Sequence, residues 1–274
     1  MIPEISIGPI TLQTFGLMFA LSFVVAGLIL SVRLKELGKP PDWAYEAIFA
    51  ALVGGLVGGR LFFLAENWDS VSGDFLGNLF SGSGLTWYGG AIGGAIAVLL
   101  WAKWRNYLNL RLVDAAAPAL AAGQAVGRIG CQLSGDGDYG EPWDGPWAMG
   151  YPDGVVPTPP GVTVHPTPIY EMLTLGLIAF VLWQLRDRFR FGILMALYLL
   201  LAGLMRFLVE FVRINDAVLA GLTTAQLISL VMIAVGLGWI LTVWKKYGTL
   251  ARPADQQLPT DTGGSGKKAD PTTS

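Results

Sequence analysis

Apolar residues occur in seven long runs along the chain, and short polar segments separate them. A helix crosses the hydrocarbon core of a bilayer with roughly 20 residues, and each run is close to that length. The pattern therefore predicts an all-α, polytopic membrane protein with seven transmembrane helices. The predicted spans are residues 10–32, 44–65, 85–102, 113–134, 168–184, 192–213 and 222–243.

The composition supports a membrane protein. Hydrophobic residues make up 53% of the 274 residues and charged residues 14%, and the mean hydropathy is +0.53. A soluble domain of this size would be poorly soluble with such a profile. The single cysteine, Cys131, excludes an internal disulfide, and the single histidine, His165, argues against a zinc centre.

The positions of the basic residues predict the orientation in the membrane. Lysines and arginines follow the first, third, fifth and seventh spans, whereas the loops 66–84, 135–167 and 214–221 carry acidic residues and neither lysine nor arginine. Cytoplasmic loops are enriched in lysine and arginine. We therefore expect the N-terminus outside and the C-terminus in the cytoplasm.

The spans leave no room for a second folded domain. We expect residues 1–251 to form a membrane domain with a long outer loop at 135–167, and loops of this length are commonly functional. Residues 252–274 lack apolar periodicity and are predicted to form a disordered cytoplasmic tail.

Two glycine-rich segments, "VGGLVGGR" at 53–60 and "YGGAIGGA" at 88–95, place small residues at helical spacing. Small residues allow helix backbones to approach closely in lipid. The simplest interpretation is dense packing between two helices.

Four arginines lie inside or at the end of a span, whereas the other 14 of the 18 basic residues lie in the predicted cytoplasmic loops and tail. The four are Arg60, Arg128, Arg206 and Arg213. With a rise of about 1.5 Å per residue, the first three lie roughly 8 to 11 Å below the outer ends of three different helices. A guanidinium inside a span costs several kcal/mol unless it is paired or hydrated.

Internal salt bridges explain each arginine taken singly, and the available partners are Glu171, Glu210 and Asp136. Three arginines at one depth favour a second interpretation, an anionic group brought into the outer half of the bilayer. A guanidinium donates two parallel hydrogen bonds, which suits a phosphate.

The sixth span carries a charged face. Arg206, Glu210 and Arg213 follow one another at i, i+4 and i+7, so they lie on the same side of a helix. Two positive charges and one negative charge leave a surplus positive charge. Such a surplus is better suited to bind a phosphodiester than a closed, neutral ion pair would be.

The segment "VHPTPIYE" at 164–171 opens the fifth span with Pro168 near the first turn and Glu171 near the positive end of the helix dipole. His165 either caps the loop at the interface or contacts a headgroup and accepts a proton. In the outer loop, we expect Asp136 to face the site and Asp138 to be solvated. Cys131 is interpreted as a buried small hydrophobic residue.

The segment "GRIGCQLSGDGDYG" at 127–140 resembles the signature of the bacterial prolipoprotein diacylglyceryl transferases. Further likenesses occur in family order and cover nearly the whole chain except the tail. They are "LQTFGLMFA", "GGRLFF", "LTWYGGAIGG", "HPTPIYE" and "RFLVEFVR".

The resemblance implies an inner-membrane enzyme that transfers the diacylglyceryl group of phosphatidylglycerol to the lipobox cysteine of a prolipoprotein signal peptide and releases glycerol phosphate. Its partners are then these two substrates and membrane lipids, with no nucleic acid and no metal or soluble cofactor. The implied catalytic residues are Arg128, Arg206 and Tyr88. The implied substrate-binding residues are Arg60, Arg213, Glu210, Gly89, Gly90, Asp136, His165 and Glu171.

Three positions depart from the common family pattern. Tyr88 replaces a histidine, Phe15 replaces a tyrosine, and Cys131 replaces an asparagine. The general base is therefore open, with Asp136 and His165 as candidates.

Two alternatives remain at this point. One is a divergent family member that uses another acceptor or lipid. The other is a small-anion transporter, although such proteins usually show repeats and broken helices on both sides of the midplane.

Overall fold

The structure is a computed structural model and describes residues 1–68 and 86–254. Within these residues the chain forms seven long helices, one for each predicted span, which confirms the all-helical polytopic prediction. The helices are α1 (Thr14–Glu36), α2 (Trp43–Glu66), α3 (Trp87–Trp104), α4 (Leu110–Ser134), α5 (Thr167–Leu185), α6 (Ile193–Val209) and α7 (Thr224–Tyr247). The orientation of the termini stays a prediction.

Five of these helices are long and apolar enough to cross a membrane, with mean hydropathy between 1.5 and 2.4. They are α1, α2, α5, α7 and α6 with its short 3-10 extension, Glu210–Val212. The more polar α4 packs against α1, α5 and α6. Its polar side chains therefore bond to other helices, as when Gln124 donates to Tyr198 Oη at 2.7 Å.

A short hairpin precedes α1 and was not predicted. Its strands β1 (Glu4–Ile7) and β2 (Ile10–Gln13) pair antiparallel, and Gly8 takes the left-handed backbone conformation (φ +62°) in the turn. The prediction that the first span begins at residue 10 is therefore wrong, because residues 10–13 pair with β1 and the helix begins at Thr14. The segment before the hairpin lies against α4, where the Ile2 N–H donates to the Leu133 carbonyl at 2.9 Å.

The two glycine-rich segments pack against each other, as expected, and join α2 to α3. A Cβ added to Gly58 would lie 2.3 Å from the Gly89 carbonyl oxygen, and one added to Gly93 would lie 2.3 Å from the Gly54 carbonyl oxygen. Real Cβ atoms do not approach so closely, so the two backbones are in direct contact.

We expect Gly58→Ala to destabilise the protein, because its methyl group meets backbone atoms of α3 that cannot turn aside. Overpacking of this kind typically costs about 1–3 kcal/mol. The matched control is Gly238→Ala in α7, where an added Cβ meets nothing within 4 Å and higher helix propensity favours alanine. Thermal unfolding in detergent should show a lower midpoint for the first variant alone. Equal midpoints would contradict close packing of α2 on α3.

Charged side chains also join the ends of α1, α5 and the chain segment after α7, at the end of the bundle remote from Arg128. The buried Arg33 donates to Asp187 Oδ1 at 2.9 Å. Arg252 donates to the same oxygen at 3.0 Å and to the Phe189 carbonyl at 3.0 Å. The first residue of the predicted tail is thus anchored, and residues 255–274, on which the rest of that prediction falls, lie outside the described residues.

Candidate active site

The predicted arginines of α4 and α6 meet at a buried glutamate of α5. Arg206 Nη1 lies 2.7 Å from Glu171 Oε1, and Arg128 Nε forms an ion pair with Glu171 Oε2. The Glu171 side chain has 0% of its surface exposed. Glu171 therefore holds side chains from two other helices at one point, on the first turns of α5.

A second buried carboxylate, Glu210, fixes Arg206 from the other side. Its Oε2 lies 2.8 Å from Arg206 Nη2. Its Oε1 accepts hydrogen bonds from Asn215 Nδ2 and from Thr223 Oγ1, each at 2.8 Å. Thr223 is also the N-cap of α7, where a capping box with Gln226 begins the helix. The start of α7 is thereby tied to the end of α6.

Asp138 is the third carboxylate of the site and bridges two arginines. One oxygen pairs with Arg128 Nη1, and the other lies 2.6 Å from Arg213 Nη2. Burial by itself raises the pKa of Asp138, but the charges of Arg128 and Arg213 overcome this effect and lower the pKa to about 2. Asp138 is therefore ionised at neutral pH.

This position corrects one sequence-based expectation. Asp138 was expected to be solvated, yet it forms ion pairs with two arginines. Asp136, which was one of the available salt-bridge partners, lies beside it, and its Oδ1 accepts from the Asp138 N–H at 3.2 Å. The path of the loop explains this arrangement. Gly135 (φ +60°) and Gly137 (φ +92°) turn the backbone by taking positive φ angles, which glycine adopts more readily than other residues.

The expected positive surplus is also wrong for the described cluster. Its three guanidinium groups are balanced by three carboxylates, and the ion-pair interpretation is confirmed for Glu171 and Glu210. The six residues are Arg128, Arg206, Arg213, Glu171, Glu210 and Asp138.

The cluster is not sealed. The side chains of Arg128 and Arg206 are 26% and 24% exposed, and Arg206 opens onto a polar cleft of about 260 Å³. The cleft is lined by Tyr88, Arg206, Glu210, Arg213, Asn215, Asp216, Thr223, Thr224 and Ala225. Side chains from α3 and α6 and the beginning of α7 therefore meet around a space that can admit a small polar group.

Three other predicted residues lie on the α2 and α3 pair. Arg60 is buried in α2, with its guanidinium carbon 5.3 Å from the centre of the Phe63 ring. Gly89 and Gly90 face α2, where an added Cβ would lie 2.4 Å from the Gly58 carbonyl oxygen and 3.5 Å from the Gly55 carbonyl oxygen respectively. Close helix packing accounts for the glycine at position 89, whereas an added Cβ at Gly90 would make an ordinary van der Waals contact. A role for any of the three residues in substrate binding stays a prediction.

His165 lies in an aromatic group of the loop between α4 and α5. Its ring stacks on Trp143 with centroids 4.4 Å apart, and its Nδ1 lies 3.2 Å from Tyr170 Oη. Cys131 is buried, as expected, and Arg128 Nη1 lies 3.6 Å from its sulfur. The thiol therefore lies beside the arginine cluster.

Sequence reasoning missed Asn215 and Thr223, the two residues that hold Glu210. The sequence "TTAQ" at 223–226 fits a capping box, which could have placed Thr223 at a helix start. No comparable signal indicated Asn215.

The chain is similar to one family of known proteins over most of its length. The family model described as prolipoprotein diacylglyceryl transferase matches residues 4–242. Proteins named phosphatidylglycerol-prolipoprotein diacylglyceryl transferase include one from Leptospira interrogans, 30% identical over 86% of this chain and 91% of that protein. The protein of the same name from Clostridium tetani is 33% identical over 81% of this chain and 90% of that protein. The one from Chromohalobacter salexigens is 33% identical over 88% of this chain and 91% of that protein. With helices that suit a membrane and a match over most of its length, the chain belongs to the prolipoprotein diacylglyceryl transferase family.

Proposed function

We propose that this protein transfers the diacylglyceryl group of phosphatidylglycerol to the cysteine thiol of a prolipoprotein. The sulfur attacks the carbon of the diacylglyceryl group that is bonded to the phosphate oxygen. A C–S bond forms as this C–O bond breaks. The thiol loses its proton, and glycerol phosphate leaves. The names of the relatives support this reaction class and both substrates.

The observation that carries the proposal is the convergence of Arg128, Arg206 and Arg213 beside an open polar cleft. Guanidinium groups bind phosphate oxygens by paired, charge-assisted hydrogen bonds. Negative charge increases on the phosphate as the C–O bond breaks, so fixed cations there lower the barrier directly. Arg128 and Arg206 bind the phosphate in this scheme. Arg213 supports the phosphate part of the headgroup beside them, and Arg60 supports the rest of the headgroup.

Buried carboxylates give these arginines fixed positions before substrate arrives. Glu171 contacts Arg128 and Arg206, and Glu210 contacts Arg206. A preorganised donor pays no reorganisation cost at the moment of reaction. Tyr88 lines the cleft, and in this scheme it donates a hydrogen bond to the bound headgroup.

The attacking group is a thiolate, and an ordinary cysteine thiol has a pKa near 8.5, so modest assistance is enough to ionise it. Asp136 and His165 are the candidate proton acceptors on the outer loop. We place the enzyme in the bacterial inner membrane, with its N-terminus and site on the outer side and its C-terminus in the cytoplasm. The basic residues at the other end of the bundle support this orientation.

The function can be tested with purified protein, labelled phosphatidylglycerol and a synthetic lipobox peptide. We expect a thioether-linked diacylglyceryl peptide, detected by mass spectrometry, together with released glycerol phosphate. A peptide with serine in place of cysteine is the matched control and should give no product. If the protein instead carries anions across vesicle membranes and yields no lipidated peptide, the proposal is wrong.

A further inference from the structure

The three carboxylates of the arginine cluster differ in their access to solvent. The side chains of Glu171 and Glu210 are 0% and 1% exposed, whereas that of Asp138 is 31% exposed. Glu171 and Glu210 are therefore permanent counterions inside the bundle. Asp138 is the member of the cluster that can leave its partners by turning into water.

The contacts of Asp138 match those that a phosphodiester would make. Its two carboxylate oxygens pair with guanidinium groups from two different parts of the chain, Arg128 of α4 and Arg213 beyond α6. A phosphodiester also offers two equivalent, negatively charged oxygens, and it carries the same single charge. Exchange of one for the other keeps the cluster neutral, because three arginines still face three negative charges.

The backbone at this position is held separately from the side chain. The Asp138 carbonyl accepts a hydrogen bond from Arg213 Nη1 at 2.9 Å and another from Thr167 Oγ1 at 2.5 Å. These bonds do not involve the carboxylate. Rotation about the side-chain torsions alone can therefore release the carboxylate while the loop stays in place.

We propose that the Asp138 carboxylate occupies the position of the lipid phosphodiester between Arg128 and Arg213, and that phosphatidylglycerol displaces it on binding. This inference rests on the proposed function, since it takes phosphatidylglycerol as the lipid. Asp138 is then a positioning residue. It keeps the two arginines apart and oriented until the lipid arrives, at the expense of lipid affinity.

The test measures binding of a short-chain phosphatidylglycerol to the purified full-length protein by calorimetry, without peptide. Asp138→Asn keeps the shape of the side chain but removes its charge, so the competitor is weakened. We expect a dissociation constant at least about fivefold lower than that of the unmodified protein, because apparent affinity falls with the fraction of molecules that are competent to bind. Asp153→Asn, at an exposed position of the same loop, is the control and should leave the dissociation constant unchanged.

Unchanged or weaker binding by Asp138→Asn would overturn the inference, and so would the absence of binding by every variant. Tighter binding by Asp138→Asn, combined with no lipidated peptide from the unmodified protein in the separate transfer assay, would support the inference and refute the proposed reaction. If Asp138→Asn does not fold, Asp138→Ser serves in the same assay. The unmodified protein gives an independent measurement, because added lipid should shift the infrared carboxylate band of ¹³C-labelled aspartate, and an unshifted band contradicts displacement.

Discussion

Replacing Arg128 with alanine is expected to lower the rate of lipid transfer by roughly 100-fold to 1000-fold, the usual effect of removing one donor to a developing negative charge. Arg128 forms ion pairs with both Glu171 and Asp138, so its guanidinium lies between the buried counterion and the proposed phosphate position. Initial rates with saturating peptide and varied phosphatidylglycerol measure the loss. A fall in kcat as well as in kcat/KM is expected if the arginine acts on the leaving group.

Two variants separate this effect from a general loss of positive charge. Arg128→Lys keeps the charge but has no planar fork to contact two oxygens, so it should recover little activity. Arg105 directly follows the last residue of α3 and pairs with Glu46. The Arg105→Ala protein should retain activity. An Arg128→Ala protein that folds normally and keeps most of its activity would contradict the assigned role.

Replacing Glu171 with glutamine is expected to produce the largest loss of stability. The side chain is fully buried, and its Oε1 lies 2.7 Å from Arg206 Nη1 and 3.7 Å from Arg213 Nη1. Removing one partner of a buried ion pair costs about 3–5 kcal/mol, because the remaining charge is left without compensation. Here Arg128 also loses an ion pair.

Denaturant unfolding in mixed micelles can measure the change in free energy. Glu141→Gln is the matched control, since Glu141 is exposed on the loop between α4 and α5 and the same charge is removed. We expect the control to unfold as the unmodified protein does. A Glu171→Gln protein as stable as the control would show that water hydrates the cluster well enough to replace the carboxylate.

The helices could be predicted because the length of a continuous apolar run in the sequence is enough to indicate a membrane span. The meeting point of Arg128 and Arg206 could be predicted from the same information, since alternate spans run in the same direction and both arginines precede the same end of the bundle by a similar distance. The structure brings them to a common partner, Glu171. Both results depend on helix geometry alone.

The errors lie where the chain leaves regular helices. The partner of Arg128 in the loop after α4 is Asp138 rather than Asp136, and this depends on the turns at Gly135 and Gly137. A difference of two residues in a loop leaves no periodic signal in the sequence. The charge balance of the cluster was misjudged for the same reason, because it requires carboxylates from three separate parts of the chain.

The hairpin at residues 4–13 could have been recognised. Apolar and polar residues alternate through "EISIGPITLQ", and Gly8-Pro9 marks a turn between the two halves. The apolar content of the second half was instead assigned to the helix that follows. The alternation of apolar and polar residues, which is typical of a strand, was therefore mistaken for the beginning of a transmembrane helix.

The anchoring of Arg252 bears on how the protein can be engineered. A purification tag or fluorescent fusion attached after residue 254 leaves the bonds from Arg252 to Asp187 and to the Phe189 carbonyl intact. A truncation that ends at residue 251 removes that donor from the turn between α5 and α6. Expression vectors should therefore retain the chain through at least Arg252.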